Sequence, residues 1–133
     1  MSVQIDLKGK TALLTGGGRG LGKAIAEVLA RAGANVFIGN RKEAEGKSVV
    51  DEILKLGVKA GFKKVDVSVG AEVEEFFEAG EDFAGGKIDF AINNAGVIET
   101  TSFLDLDGEA AKRVYDINVI GLSNVVRCAL KKM

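Results

Sequence analysis

The sequence predicts a doubly wound α/β fold, a parallel sheet with helices on both faces, in a single domain over residues 1–133. Four short apolar runs begin at residues 11, 35, 61 and 88 and alternate with longer segments of helical period. Each repeat of about 25 residues has room for a strand, a helix and two short loops. The runs are mostly apolar rather than alternating, as in strands that are covered on both faces. Such strands pair in parallel through right-handed crossovers.

The first segment of helical period shows the clearest pattern. Its apolar positions recur at helical spacing, which predicts that this face is buried. These positions are Leu21, Ala24, Ile25, Val28, Leu29 and Ala32. Gly33 follows the last of them, where a helix commonly ends in a left-handed residue. In the later helices the positions predicted to be buried are Val49, Val50, Ile53 and Leu54, then Val73, Phe76, Phe77 and Phe83, and finally Val114, Ile117, Gly121, Val125 and Ala129.

Composition excludes several classes of function. A net charge of −1, with 28% charged residues, gives no basic excess of the kind that nucleic-acid binders use. No apolar run approaches the ~18 residues of a membrane span, and the first residues lack the pattern of an export signal. We therefore expect a cytoplasmic protein that binds neither nucleic acid nor membrane. The chain has no histidine, which excludes Ser-His-Asp and Cys-His nucleophiles and His-ligated metals, and we expect no metal site.

Glycines are concentrated between the first strand and the first helix, where residues 15–22 read Thr-Gly-Gly-Gly-Arg-Gly-Leu-Gly. Glycine permits a sharp turn and lets phosphate oxygens approach the amide groups at a helix N-terminus. A tight turn without a ligand is the alternative, but it does not require so many glycines. Residues 17–23 match a P-loop, yet Ala24 stands where the Ser or Thr that holds magnesium belongs. The sequence therefore favours a phosphate-binding loop other than a P-loop.

Several motifs together resemble one known family. The glycine loop has the spacing Thr-Gly-x-x-x-Gly-x-Gly, and Asp-Leu-Lys-Gly-Lys at 6–10 precedes the first strand. Asp66-Val67 follows the third strand, Asn-Asn-Ala-Gly at 93–96 follows the fourth, and Asn118 lies in the last helix. This combination extends over essentially the whole chain and resembles the short-chain dehydrogenase/reductase family.

The resemblance implies a Rossmann-like sheet with strand order 3-2-1-4 and a dinucleotide at the carboxyl edge of the strands. It assigns Asp66 and Val67 to the adenine. It makes Asn118 the one candidate catalytic residue, whose amide would help to hold a proton-relay water near the family's lysine. Because Asn118 shares a helical face with Val114 and Gly121, we expect it to be buried. The candidate cofactor-binding residues are Thr15, Gly16, Gly18, Arg19, Gly20, Leu21, Gly22, Asn40, Arg41, Asp66, Val67, Asn93, Ala95 and Gly96.

The residues after the second strand indicate which cofactor is preferred. An acidic residue there would accept hydrogen bonds from the ribose hydroxyls of NAD, whereas an arginine accommodates the 2′-phosphate of NADP. The chain has Asn40-Arg41, and Arg19 in the glycine loop can add a second positive charge. Two solvated surface arginines are the alternative. We expect NADP rather than NAD.

The family's chemistry, as the resemblance implies it, needs residues that these 133 positions do not contain. It is hydride transfer between a nicotinamide and a carbonyl or alcohol carbon, helped by a serine and a Tyr-x-x-x-Lys pair. The only tyrosine, Tyr115, has Val119 four positions on, and the sequence ends at Met133 before a fifth strand. Two interpretations stay open: the cofactor-binding half of a reductase that is inactive alone, or a stand-alone NADP-binding or scaffold module. We expect a homo-oligomer, or pairing with a missing C-terminal half.

Overall fold

A computed structural model describes residues 2–133 and shows one parallel sheet with helices on both faces. The strands are β1 (Thr11–Thr15), β2 (Asn35–Asn40), β3 (Ala60–Lys64) and β4 (Phe90–Ile92). The helices are α1 (Gly20–Arg31), α2 (Glu43–Leu54), α3 (Gly70–Phe83), α4 (Gly108–Tyr115) and α5 (Leu122–Lys132), with a π-helical turn, Asp116–Gly121, between the last two. The spatial order is β3-β2-β1-β4 and every pairing is parallel, so the predicted fold class and strand order are confirmed.

The strand register brings the functional loops to one edge of the sheet. Thr15 at the end of β1 lies opposite Gly39, and Leu14 lies opposite Ile92 at the end of β4. Asn40 of β2 lies opposite Lys64 of β3. Because parallel strands all end at the same edge, the turns that follow the four strands meet there.

Each face of the sheet has its own apolar core. Leu13 and Phe37 point to the α3 and α5 side, where Phe37 stacks on Phe76 with ring centroids 5.5 Å apart. Leu14 and Ile38, the next residues along the same strands, point to the α1 and α2 side. Successive side chains of a strand face opposite sides of a sheet, so apolar residues in both registers produce a sheet that is buried on both faces.

The prediction for the buried face of α1 was only partly correct: Ile25 and Leu29 are partly buried against the core, but other predicted positions are exposed. Leu21 and Val28 are 71% and 66% exposed, and the buried positions are Gly22, Ala26 and Ala30. Small residues at a spacing of four form a flat face that lets the helix approach the sheet closely. Both faces of α1 carry apolar residues, so hydrophobic periodicity could not identify the buried one.

Helices α2 and α3 follow the sequence prediction more closely. In α3 the predicted Val73, Phe76 and Phe77 are all buried. In α2 the predicted Ile53 is fully buried, whereas Leu54 is 49% exposed at the last residue of the helix, contrary to the prediction. The predicted core of both helices is therefore confirmed apart from Leu54, with Val50 and Phe83 only partly buried against it.

The last helical segment buries one side against the sheet and α3. Ile117, Gly121 and Val125 are buried as predicted, and a Cβ at Gly121 would meet the Val67 side chain at 2.6 Å. Helix α5 packs on α3, and burial raises the pKa of the Cys128 thiol. No helix within residues 2–133 has both the length and the apolar character needed to cross a membrane. Over the same range no three His, Cys, Asp or Glu side chains are grouped to hold a metal ion.

Candidate dinucleotide-binding site

A cleft of about 920 Å³ lies at the carboxyl edge of the sheet. Its walls are the turn after β1, the first turn of α1, the ends of β2 and β3, and the segment after β4. Ligands of open parallel sheets bind in this position, where the loops from successive strands converge. The geometry of the cleft therefore depends on how these loops are held to one another.

The turn from β1 into α1 is held close to the sheet. The Gly16 amide donates to the Gly39 carbonyl at 2.7 Å. Gly20 begins the helix at a φ of +53°, which only glycine adopts readily, and a Cβ there would contact nothing within 4 Å. At Gly22, by contrast, a Cβ would collide with the Gly16 carbonyl oxygen. The loop is therefore folded tightly beneath the helix and open on the cleft side.

The N-terminus of α1 keeps its first amide groups free of side-chain caps. Its N-cap residue is Arg19, whose side chain makes no capping hydrogen bond. The first N–H groups of an α-helix have no partner within the helix, and the helix dipole adds partial positive charge there. A phosphate bound there can accept hydrogen bonds from these N–H groups, and its negative charge is attracted by the partial positive charge.

Thr15 ties the loop after β4 to the glycine loop. Its buried hydroxyl donates to Asn93 Oδ1 at 3.4 Å and accepts the amide hydrogens of Asn94 and Ala95, both at 3.2 Å. Asn94 Nδ2 donates to the Gly16 carbonyl at 3.1 Å. One donor and two acceptor sites are what a threonine hydroxyl offers, so Thr15 is fully satisfied. Thr15 and Asn93 shape the cleft from behind and do not line it.

At the far end of the cleft, Arg41 and Asp66 form an ion pair. Arg41 Nε lies 3.7 Å from Asp66 Oδ2, while Asp66 Oδ1 accepts hydrogen bonds from the amide and hydroxyl of Ser68. Asn40 Nδ2 donates to the Lys42 carbonyl at 2.9 Å, and its side chain lies against Gly18. The predicted Gly18 is buried behind Asn40, outside the cleft lining.

Positive side chains are more numerous in the cleft than the sequence indicated. Besides Arg19 and Arg41, the lining includes Lys42, Lys64 and Arg113. Lys42 is the sequence neighbour of Arg41, whereas Lys64 at the end of β3 and Arg113 in α4 are brought into the cleft by the fold. The acidic side chain of Glu45 also lines the cleft, but Lys42 Nζ lies 3.3 Å from its Oε1. This end of the cleft is therefore suited to a ligand with negative charge.

Asn118 is more exposed than expected, and both polar atoms of its amide are nevertheless hydrogen-bonded. Its Oδ1 accepts the Val97 amide hydrogen at 2.9 Å and its Nδ2 donates to the Val97 carbonyl at 2.8 Å. The prediction that it is buried was wrong, because in the π-helical turn Ile117 and Gly121 face the core, whereas Asn118 contacts the segment after β4. Such π-helical turns are frequent at functional sites. Asn118 anchors this wall of the cleft.

The structure brings most of the predicted cofactor residues together. The predicted residues that line the cleft are Gly16, Arg19, Gly20, Leu21, Gly22, Asn40, Arg41, Asp66, Val67, Ala95 and Gly96. Thr15, Gly18, Asn93 and Asn118 lie behind this surface. Among the charged lining residues, sequence reasoning missed Lys42, Glu45, Lys64, Glu72 and Arg113.

The chain that follows the lining residue Ile98 contains a local hydrogen-bonded turn. The hydroxyl and the amide of Thr101 both donate to the Glu99 carboxylate, and these bonds lower the pKa of that carboxyl.

The family of the chain follows from comparison with known proteins. A family model described as short chain dehydrogenase matches residues 10–133. The chain belongs to the short-chain dehydrogenase family. The part of the family fold present here is its nucleotide-binding Rossmann portion, with the glycine loop, the Asp66 position and the Asn93 to Gly96 motif grouped around one cleft.

Relatives and solved structures agree with this assignment. Oxidoreductase UcpA of Salmonella typhimurium is 37% identical over 96% of this chain and 48% of its own length. L-rhamnose 1-dehydrogenase (NADP(+)) of Thermoplasma acidophilum is 39% identical over 86% of this chain and 45% of its own. A variant of actinorhodin polyketide ketoreductase, solved with NADPH, superposes with a TM-score of 0.88 at 30% identity over 99% of this chain and 49% of its own. The chain spans about half the length of the curated relatives it matches.

Proposed function

We propose that this chain binds NADP(H) in the cleft at the carboxyl edge of its sheet and prefers it to NAD(H). The observation that carries the proposal is the placement of Arg41 directly after β2, in the lining of the same cleft as the glycine loop and the other cations. A 2′-phosphate adds about two negative charges at neutral pH, and a guanidinium can bind it with two parallel hydrogen bonds. The name of the Thermoplasma relative and the NADPH in the ketoreductase structure support this choice.

The residues present fit a dinucleotide. Gly20 leaves open space in front of the uncapped first turn of α1, where the pyrophosphate would accept hydrogen bonds from backbone amides. Asp66 and Val67 would border the adenine, and Arg41 with Arg19 would face the 2′-phosphate. Ala95 and Gly96, with little side chain, leave room along the β4 side of the cleft. When bound, the nicotinamide supplies or accepts a hydride, and we propose carbonyl reduction or alcohol oxidation as the reaction in which this portion takes part.

A preference for NAD is the main competing possibility, because Asp66 and Glu45 also lie in the cleft. Both carboxylates have basic neighbours: Arg41 for Asp66 and Lys42 for Glu45. The positive charge of these neighbours offsets the repulsion that the two carboxylates would exert on a 2′-phosphate. A second possibility is a stand-alone binding or scaffold module. Such a module would also bind NADP(H) in this cleft, but without catalysing a reaction.

Calorimetric titration of the 133-residue chain with NADPH and with NADH tests the proposal. Hydrogen bonds to charged groups contribute about 1.5–3 kcal/mol, so NADPH should bind at least roughly tenfold more tightly. The preference should fall as salt is added, since exposed charge pairs are screened. Equal affinities, or tighter binding of NADH, would contradict the assignment of Arg41 to a 2′-phosphate.

We also propose that the 133-residue chain by itself does not reduce carbonyl compounds. No Tyr-x-x-x-Lys pair occurs in it, and Tyr115 does not line the cleft. Spectroscopic assays with a panel of aldehydes and ketones should show NADPH oxidation at the protein-free rate, in samples that bind NADPH by calorimetry. Oxidation that depends on the protein and persists after repurification would refute this expectation.

Association with a second polypeptide is expected from two surfaces. Strand β4 has β1 as its only strand partner within residues 2–133, and an unpaired strand edge can pair with another chain. Along α5, Leu122, Val126 and Leu130 are exposed, the last at 80%. These residues lie on a different side of the helix from Val125, which is buried, and Ala129, which packs on the core.

Light scattering should show a dimer or larger species of the 13.9 kDa chain in the micromolar range. Replacing Val126 and Leu130 by glutamate should weaken association through α5, because it places charges in an apolar interface. Val28→Glu is the matched control, since Val28 is an exposed apolar residue on α1. A monomer at all concentrations tested would show that neither surface associates.

A further inference from the structure

Ser68 lies just outside the cleft and contacts the residue that pairs with Arg41. Its amide and its hydroxyl both donate to Asp66 Oδ1, at 3.0 and 2.6 Å. The Asp66 amide in turn donates to Glu72 Oε2 at 2.7 Å. Ser68 is partly buried and is not among the residues that line the cleft. The Asp66 carboxylate therefore has one oxygen fixed by Ser68, and the other is turned to Arg41.

The ion pair engages only one side of the guanidinium. Asp66 Oδ2 approaches Arg41 at Nε, 3.7 Å away. A guanidinium has five N–H donors in a planar fork, and four of them are on the two terminal nitrogens. The approach at Nε is an ion pair beyond hydrogen-bond distance, so it favours orientations of the guanidinium that face Asp66 and leaves the terminal donors available for a phosphate. Without a partner, an arginine whose side chain is 57% exposed would sample many rotamers.

We propose that Ser68 and Asp66 position the Arg41 guanidinium for the 2′-phosphate and thereby contribute to the preference for NADPH over NADH. This inference rests on the proposed function and extends it to a residue outside the cleft. Ser68 holds the Asp66 carboxylate, and the carboxylate holds the guanidinium. A group positioned before binding loses less conformational freedom on binding, which raises affinity without a new contact to the ligand.

The carboxylate also carries a charge of the same sign as the phosphate. A phosphate bound at the terminal guanidinium nitrogens would have Arg41 between it and Asp66, because the carboxylate approaches the guanidinium at Nε. At this exposed position the like-charge repulsion across the arginine is screened by solvent. Orientation is the larger effect, because bidentate binding of a phosphate requires the correct plane of the guanidinium.

Ser68→Ala tests the proposal by the difference between two cofactors. Loss of the hydroxyl removes one of the two hydrogen bonds to Asp66 Oδ1, and NADPH affinity should fall by about three- to tenfold. NADH affinity should change less than about twofold, since NADH has no 2′-phosphate for Arg41 to bind. Ser68→Thr retains the hydroxyl and should restore the preference. Ser48→Ala, at an exposed position on α2, is the matched control.

A double-mutant cycle with Arg41→Ala decides whether Ser68 acts through Arg41. In the Arg41→Ala background, Ser68→Ala should no longer lower NADPH affinity. Equal losses for NADPH and NADH would overturn the proposal, because they would mean that Asp66 serves only the shared adenosine portion. If Ser68→Ala does not fold, Asp66→Asn takes its place, since it removes the charge that faces Arg41 and should likewise reduce NADPH affinity more than NADH affinity.

The cycle also separates this proposal from the function on which it rests. If Arg41→Ala lowers NADPH affinity selectively and Ser68→Ala has no effect, the positioning role fails and the NADPH assignment stands. If Arg41→Ala leaves the relative affinities unchanged, the 2′-phosphate assignment fails, and the role of Ser68 fails with it.

Discussion

Gly22→Ala should abolish detectable binding of NADPH and destabilise the fold. A Cβ at this position would collide with the Gly16 carbonyl and lie 2.6 Å from Asn94 Nδ2. Overpacking of this kind costs roughly 1–3 kcal/mol, more than the 0.5–1 kcal/mol that alanine gains over glycine inside a helix. The first turn of α1 must move, which displaces the amide groups proposed to bind the pyrophosphate. Thermal unfolding and calorimetric titration measure the two effects.

Gly108→Ala is the matched control for this substitution. Gly108 also lies at the start of a helix, and a Cβ there would meet nothing within 4 Å. The control should keep the wild-type affinity and have equal or slightly greater stability. If Gly22→Ala bound NADPH as tightly as Gly108→Ala, the glycine loop would not be the phosphate site.

Arg41→Asp should reverse the cofactor preference. The change removes the guanidinium that is expected to bind the 2′-phosphate. It also places a carboxylate, which repels the phosphate, in that position. It should therefore lower NADPH affinity by roughly 100-fold, the equivalent of about 2.7 kcal/mol. NADH should bind with similar or greater affinity, because a carboxylate at this position can accept hydrogen bonds from the ribose hydroxyls. Calorimetric titration with both cofactors measures the change.

Arg31→Asp controls for the change in net charge. Arg31 is exposed in the last turn of α1, outside the residues that line the cleft. Its substitution should leave the ratio of the two affinities unaltered. If Arg41→Asp kept the wild-type preference for NADPH, the 2′-phosphate would bind elsewhere, and Lys42 and Lys64 would be the next residues to test.

The parallel α/β class and the glycine loop could be predicted from sequence patterns, whereas the strand order 3-2-1-4 was implied by the family resemblance. Regular alternation of apolar runs with helical segments defines crossovers, and crossovers of one hand leave few topologies. Gly33 illustrates the same point at one residue: the helix end predicted there has a φ of +97°. Signals of this kind are contained within a few neighbouring residues.

The fully buried positions of α1 could not be predicted, because they depend on how closely the helix approaches the sheet. Leu21 and Val28 are more hydrophobic than Ala26 and Ala30, yet the alanines are buried. Burial there follows from side-chain volume at a narrow interface. Likewise, no local pattern indicates that Lys64 and Arg113 share a cleft with Arg41, since their positions follow from the lengths and packing of separate elements.

The central claim is that the cleft at the carboxyl edge of the sheet binds NADP(H), and an NMR titration of the ¹⁵N-labelled chain with NADPH tests it most directly. The largest amide shifts should occur in residues 16–22, at Arg41, and in residues 66–67 and 95–96. Titration with NADH should move the glycine-loop amides at higher concentrations and leave Arg41 nearly unchanged. Shifts confined to α5, or no saturable shift at any amide, would contradict the account.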